Sequence, residues 1–239
     1  MFSNRKHTVT SAILLAGGTL LFLTGTMAWG SDARSMLEDA MKPGCFSEPE
    51  RTERLLKKTI AIAETQPVDE QTRVKALRHL AYLYKQTNRC TQSIAAHKQV
   101  LVLSEKLYGP KSPELASDLA GTAMIYSRLN DATNAEKNYL AAIAIAKNDL
   151  TDSTKAVCYY NLASIENRKG DFSKADTYYQ QAIAACPQDS LQSAFLETYA
   201  SFLSRTGQPL KAFGIQTQLA YMKASDEIKH CYFQLVNRH

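Results

Sequence analysis

Four stretches of the chain share one arrangement of apolar and polar positions. Leu77, Leu80, Ala81 and Tyr84 fall at i, i+3, i+4 and i+7, the spacing of one helical stripe. Leu119, Thr122, Ala123 and Tyr126 repeat it, as do Tyr159, Leu162 and Ala163, and Leu196, Tyr199, Ala200 and Leu203. The central alanines stand at 81, 123, 163 and 200, in steps of 42, 40 and 37. Twelve residues after each comes a second small residue: Ser93, Ala135, Ala175 and Ala212. A second stripe runs through that position, as in Ala135, Tyr139, Ala142 and Ile143, or Ala175, Tyr179, Ala182 and Ile183. A fixed offset within each unit and a variable step between units predict a rigid helix pair joined by variable linkers. The small residue in each helix predicts a close crossing, where a large side chain has no room. Gly170-Asp171 and Gly207-Gln208 are placed to stop one helix and start the next.

The pattern fades at both ends. Ala40 lies 41 before Ala81, and Thr52 lies twelve after Ala40. However, Pro43-Gly44 cuts the first helix of that unit short, and Asp39 falls on its expected apolar stripe. Residues 31–68 therefore read as a degenerate N-terminal unit or cap, 69–225 as the array, and 226–239 as a C-terminal capping helix. Solenoids need such caps because end units otherwise expose apolar faces.

Residues 1–30 are a separate segment. Arg5, Lys6 and His7 precede an apolar run, Ala12 to Leu23, and Ala28-Trp29-Gly30 offers the small residues a signal peptidase reads. The expectation is a cleaved signal peptide. The alternative is an uncleaved membrane anchor, since Thr8 to Ser31 carries no charge and is nearly long enough to span. Both place the remainder outside the cytoplasm, periplasmic or secreted, and only the anchor would hold it to a membrane.

The chain has 239 residues, 45% hydrophobic and 21% charged, which suits a folded body and argues against wholesale disorder. Its net charge of +5 falls to +3 without the first 30 residues, which hold two Lys or Arg and no carboxylate. A balance that close to neutral, in an exported protein, does not indicate nucleic-acid binding.

Tyr159-Tyr160-Asn161-Leu162-Ala163, then Gly170-Asp171-Phe172, Ala175, Tyr178-Tyr179, Ala182 and Pro187 resemble a tetratricopeptide repeat nearly column for column. Leu107-Tyr108-Gly109-Pro110-Lys111-Ser112-Pro113-Glu114 resembles the longer inter-repeat linker of the kinesin-light-chain type of that family. The resemblance runs from about Thr72 to Ser225, and departs at Glu166 and Gln216, where an aromatic is usual. It implies an all-α, right-handed superhelical solenoid of antiparallel helix pairs, about four clear repeats long. It also implies that the first helix of each pair lines a concave groove that binds protein or peptide.

Helical spacing around each alanine selects the residues on that face. Those with binding chemistry are Lys75, Arg78, His79, Tyr82 and Lys85; Met124 and Arg128; Tyr160, Asn161, Ser164, Asn167 and Arg168; and Ser201 and Arg205. The whole face holds six Lys or Arg against one Glu. Arg128, Arg168 and Arg205 recur in one column. Such a face suits an acidic segment, because guanidinium pairs carboxylate through two parallel bonds. Basic residues near helix C-termini are also what the helix dipole selects, which accounts for the column without a ligand.

No metal-ligand spacing, nucleophile elbow or phosphate loop occurs, so no catalytic residue, metal or cofactor is expected. His97 falls in the aromatic column of a second helix, as a core residue. Five cysteines in an exported chain raise disulfides, with Cys158–Cys186 and Cys45–Cys90 as candidate pairs and buried thiols as the alternative.

Overall fold

The small residues let two helices cross closely, and the computed structural model, which describes residues 23–44, 47–65, 70–145, 152–186 and 190–236, shows this directly. Among those residues are ten α-helices and no strand: α1 (Leu23–Ala40), α2 (Pro49–Thr65), α3 (Glu70–Gln86), α4 (Cys90–Tyr108), α5 (Pro113–Arg128), α6 (Ala132–Ile145), α7 (Asp152–Lys169), α8 (Phe172–Ala185), α9 (Ser190–Arg205) and α10 (Pro209–Val236). They pair as α1/α2 through α9/α10, and each pair packs on the next. Ala81, Ala123 and Ala163 are fully buried, as are Ser93, Ala135 and Ala175. The first crossing is close enough for the Ser93 hydroxyl to donate to the Ala81 carbonyl at 2.8 Å. That bond removes the cost of burying the hydroxyl.

No pair completes its own core. Ala116, Ala120, Ala123, Tyr139 and Ile143 of the α5/α6 pair close over Cys158, Leu162 and Ile165 of α7. Tyr179 of α8 is buried with Tyr199, Phe202 and Leu203 of α9. Across units, α1 touches α3 and α5 touches α7, while the even-numbered helices have no comparable mutual contact. The stack is therefore tighter on the side of the odd-numbered helices, and curves around them.

One turn is used four times. Gly170 and Gly207 adopt φ of 84° and 77°, as their placement predicts, and Asn88 and Asn130 do the same work at 59° and 62°. In each, the next amide reaches back five residues: Arg89 to Tyr84, Asp131 to Tyr126, Asp171 to Glu166 and Gln208 to Leu203, at 2.7 to 3.0 Å. This is the left-handed helix stop with its closing bond. Asp131 and Asp171 then cap the following helices by accepting from the amides of Asn134 and Lys174.

The ends differ from expectation. Asp39 is not on the buried stripe of α1; Ala33, Leu37 and Ala40 are, and Asp39 pairs with Lys42 at the surface. Pro43-Gly44 does end the helix early, at Ala40. At the other end no separate capping helix begins at 226, because α10 continues unbroken to Val236. No residue between Ala212 and Asp226 terminates it. The expected leader lies mainly outside the described residues, although α1 runs through the proposed cut after Gly30. Among the described residues no helix is long and apolar enough to cross a membrane.

The Cys158–Cys186 bridge is not formed. Cys158 is buried against α5 and α6, whereas Cys186 is buried against Phe195 of α9. The two face opposite neighbours of the α7/α8 pair. Cys90 is also a buried thiol outside any disulfide, and Cys45 lies outside the described residues. Apolar surroundings push the Cys158 thiol up to about 12, so it is inert.

Asn130→Ala is expected to destabilise the protein by about 1 kcal/mol, because alanine tolerates positive φ poorly, while Asn130→Gly is neutral or stabilising. Urea unfolding of the two variants checks this.

Candidate partner-binding groove

The groove face is built by α3, α5, α7 and α9, and its cations divide into two groups. Arg78 is committed to the fold. Its Nε and Nη2 each donate to the Asp118 carboxylate at 2.7 Å, and the Ser104 hydroxyl donates to the same carboxylate at 2.6 Å. Asp118 and Ser104 are buried, so this cluster ties α3, α4 and α5 together and commits the Arg78 guanidinium to Asp118. His79 beside it is half-buried, and burial, reinforced by the Arg78 charge, lowers its imidazole from the ordinary value.

Four other predicted residues direct their polar atoms to groups within the protein. Tyr160 stacks on Phe195 with ring centres 4.5 Å apart, and its hydroxyl meets Thr198 at 3.1 Å, which joins α7 to α9. The Asn161 amide donates to the Val157 carbonyl, and the Ser164 hydroxyl to that of Tyr160, both on their own helix. The Tyr82 hydroxyl accepts from Gln86 at 2.7 Å, leaving its ring at the surface. Asn167 is half-buried and Ser201 exposed.

The second group is Lys75, Lys85, Arg128, Arg168 and Arg205. Among the described residues none of these has a carboxylate within 4.0 Å, whereas Arg78, Arg89, Lys106, Lys169 and Lys223 do. Lys85 is half-buried. Its ammonium lies 4.3 Å over the Tyr82 ring and 3.9 Å from the Met124 sulfur. Burial first, and Arg128 second, lower its pKa. Arg128, Arg168 and Arg205 are exposed, and Arg168 donates to Ser127 across units at 3.2 Å. The expected column of three arginines is thus open, and its first member crowds a partly desolvated lysine of the same sign.

His97 occupies the aromatic column as expected, with its ring against Gly121; a Cβ there would sit 3.2 Å from the ring. Burial drives its imidazole down to about 4, so it is neutral near pH 7. Two open clefts, of about 340 and 500 Å³, lie on the opposite side, along α2 and α4. They follow from the looser spacing of the even-numbered helices, and the unpaired cations of the groove do not line them.

Sequence reasoning missed the residues that hold the units in register. Glu53 accepts from Arg89 at 2.6 and 2.9 Å, from Lys57 at 2.7 Å and from Tyr84 at 3.0 Å. Arg89 also lies over the Tyr84 ring. Glu166, where an aromatic is usual, is buried and paired with Lys169, which also reaches Glu136 of the preceding unit. The available signal was separation in sequence. Arg78–Asp118, Arg89–Glu53 and Lys169–Glu136 are 40, 36 and 33 residues apart, near the repeat step.

Stacked antiparallel helix pairs with a shared small-residue crossing define a helical-repeat solenoid. The family profile of the tetratricopeptide repeat matches residues 72–148 and, overlapping, 123–188, and this stretch of the chain is built of tetratricopeptide repeats. It is similar in structure to BtubC (BKLC) from P. vanneervenii, with TM-score 0.68 and 16% identity over 85% of this chain and 93% of that one. A Podosopora anserina putative kinesin light chain with nearly identical TPR-like repeats gives 0.63 and 17%, over 85% and 96%. MamA from Desulfovibrio magneticus RS-1 gives 0.62 and 15%, over 82% and 96%. At these identities the likeness is one of fold. Among curated proteins none matches this chain in sequence.

Asp118→Ala leaves Arg78 half-buried without its carboxylate, and is expected to cost about 3 kcal/mol in urea unfolding. Arg89 above all holds the Glu53 carboxyl down at about 2. A depressed carboxylate contributes its stability above the ordinary value of 4.5 and loses it as pH falls through about 2. Glu53→Gln should therefore remove about 2 kcal/mol of the decline in unfolding free energy across that window, solvent screening of Arg89 reducing the full effect. A pH series on both proteins measures it.

Proposed function

We propose that this protein is a non-catalytic scaffold that docks an acidic segment of another protein along the groove of α3, α5, α7 and α9, outside the cytoplasm. The repeat fold supports a protein–protein interaction scaffold, and the family is typically non-catalytic. The observation that carries the finer reading is the state of Lys85. The fold holds an ammonium half-buried, against a ring and a sulfur, with Arg128 as its charged neighbour and, among the described residues, no carboxylate within 4.0 Å. The free protein bears the cost of that arrangement, and an incoming carboxylate would relieve it. Arg128, Arg168 and Arg205 extend the same charge along successive units, as an extended or helical acidic segment requires.

Export rests on the first 30 residues: a basic start, an apolar run and small residues at the cleavage site. The uncleaved alternative would tether the same groove to a membrane.

The test is capture of envelope proteins by the purified chain, with Arg128, Arg168 and Arg205 all changed to Glu as the comparison. Three exposed pairs lost together should weaken capture about thirtyfold, and raised salt should weaken the parent in the same direction. Capture that is unchanged by the triple reversal and by salt would remove the electrostatic groove from consideration.

A further inference from the structure

The groove repeats from unit to unit, and one joint breaks the repeat. Four residues after the central alanines 81, 123, 163 and 200 stand Lys85, Ser127, Asn167 and Ser204. Five residues after them stand Gln86, Arg128, Arg168 and Arg205. Between α5 and α7 these two columns meet as donor and acceptor, since Arg168 donates to the Ser127 hydroxyl of the preceding unit at 3.2 Å. For Arg205 of α9 the equivalent position holds Asn167, whose side-chain carbonyl can accept. For Arg128 of α5 it holds Lys85, whose ammonium has donors and no acceptor. The joint of α3 with α5 therefore sets an ammonium where the next joint sets an acceptor.

We infer that the position shared by Lys85 and Arg128 is the anchoring subsite of the groove, and that it takes one side-chain carboxylate of the partner segment. The assignment rests on the acidic-partner reading of the groove, and narrows it from a charged face to a single position. Lys85 Nζ lies 3.9 Å from the Met124 sulfur and 4.3 Å over the Tyr82 ring, so its nearest walls supply no anion. Arg128 is the charge that acts on Lys85, and among the described residues no carboxylate does. The acids closest in the repeat are already engaged: Asp118 by Arg78 and Ser104, and Glu197 of α9 by Lys223. An incoming carboxylate has lone pairs enough to accept from the ammonium and the guanidinium together. The joint also lies inside the row of odd-numbered helices, with α1 before it and α7 and α9 after it. A segment lying along that row passes through the joint and meets it with a side chain.

Burial decides where the binding energy gathers. Lys85 is half-buried, while Arg168 and Arg205 are exposed. An ion pair made at an exposed arginine is screened by water and changes affinity about threefold or less. A pair made to a partly desolvated cation is worth about tenfold or more. The same geometry gives one substitution two opposite effects. Replacing the Lys85 ammonium with an apolar chain of similar length removes a half-buried charge beside Arg128, which favours the free fold, and removes half of the subsite, which weakens binding. A lysine kept only to pack against Tyr82 and Met124 would instead destabilise the fold when replaced.

The test is fluorescence anisotropy of fluorescein-labelled hexaglutamate, amidated at its C-terminus, titrated with the purified chain at about 50 mM salt. Lys85→Met and Arg128→Gln should each weaken binding about tenfold or more, and the double variant little more than either alone, because one carboxylate serves both cations. Arg168→Gln and Arg205→Gln should each weaken it about threefold or less. Lys98→Met, beside the cleft on the opposite side, should leave it unchanged. Melting curves give the second readout: Lys85→Met should melt about 2–4 °C above the parent, and saturating hexaglutamate should raise the parent more than the variant. Hexaglutamate that binds no better than a serine–glycine hexapeptide would remove the acidic-partner reading itself. Equal losses at all four cations, additive losses at Lys85 and Arg128, or a Lys85→Met variant that melts below the parent would overturn the anchor and leave the acidic groove standing. Binding confined to a peptide with a free C-terminal carboxylate would overturn the assignment to a side chain.

Discussion

Everything in this structure depends on one steric constraint, the near-contact of two helix backbones at the crossing of each pair. Ala81 over Ser93, Ala123 over Ala135 and Ala163 over Ala175 leave no room for a longer side chain, and each of these residues is fully buried. A pair pinned this closely is rigid, but it is thin. It cannot enclose the aromatic mass it carries, so Tyr139 and Tyr179 find their cover in the following unit. Stacking is thus the completion of each core, and the groove is a consequence of stacking. Because α1 meets α3 and α5 meets α7 more closely than the even-numbered helices meet one another, the side chains of α3, α5, α7 and α9 share one face.

The fold was legible because this constraint leaves a periodic trace. A small residue and another twelve later, repeated at 42, 40 and 37, can be seen without any structure. The turns were half legible. Gly170 and Gly207 mark a left-handed stop by composition, but Asn88 and Asn130 adopt the same conformation and look like ordinary polar residues in sequence. The C-terminus misled for the opposite reason. Ser225-Asp226 looks like a helix start, but nothing before it ends α10, and a helix stops only where its hydrogen bonds are interrupted.

The groove was legible as a face and less so as chemistry. Helical spacing placed the right residues on it, but spacing does not reveal which cations are already satisfied. Arg78 sits three residues before its alanine, and Asp118 five before the next one; the pair becomes visible only when neighbouring units are aligned and compared for opposite charge. Tyr160, Asn161 and Ser164 present polar atoms to the groove in sequence, and the structure returns those atoms to α7 or α9. The disulfide expectation failed through facing. Cys158 and Cys186 belong to one helix pair, and that pair buries one cysteine toward each neighbour.

Charge placement separates the joints between units from the groove face. At the joints between units, cations meet carboxylates: Arg89 with Glu53, Arg78 with Asp118 and Lys169 with Glu136. Each ties one unit to another, so the pairs act as register pins, and their exposed members contribute little energy individually. Acids are therefore available to this chain near the groove, and the fold spends them on joints. The result is that Lys85, Arg128, Arg168 and Arg205 have no carboxylate within 4.0 Å among the described residues, on the face where the helices converge. A dipole explanation accounts for the three arginines, each in the last turn of its helix. Lys85 likewise stands in the last turn of α3, but a favourable helix end gives no reason to half-bury an ammonium beside a second cation. Its half-burial against the Tyr82 ring and the Met124 sulfur is the feature of this face that the helix dipole leaves unexplained.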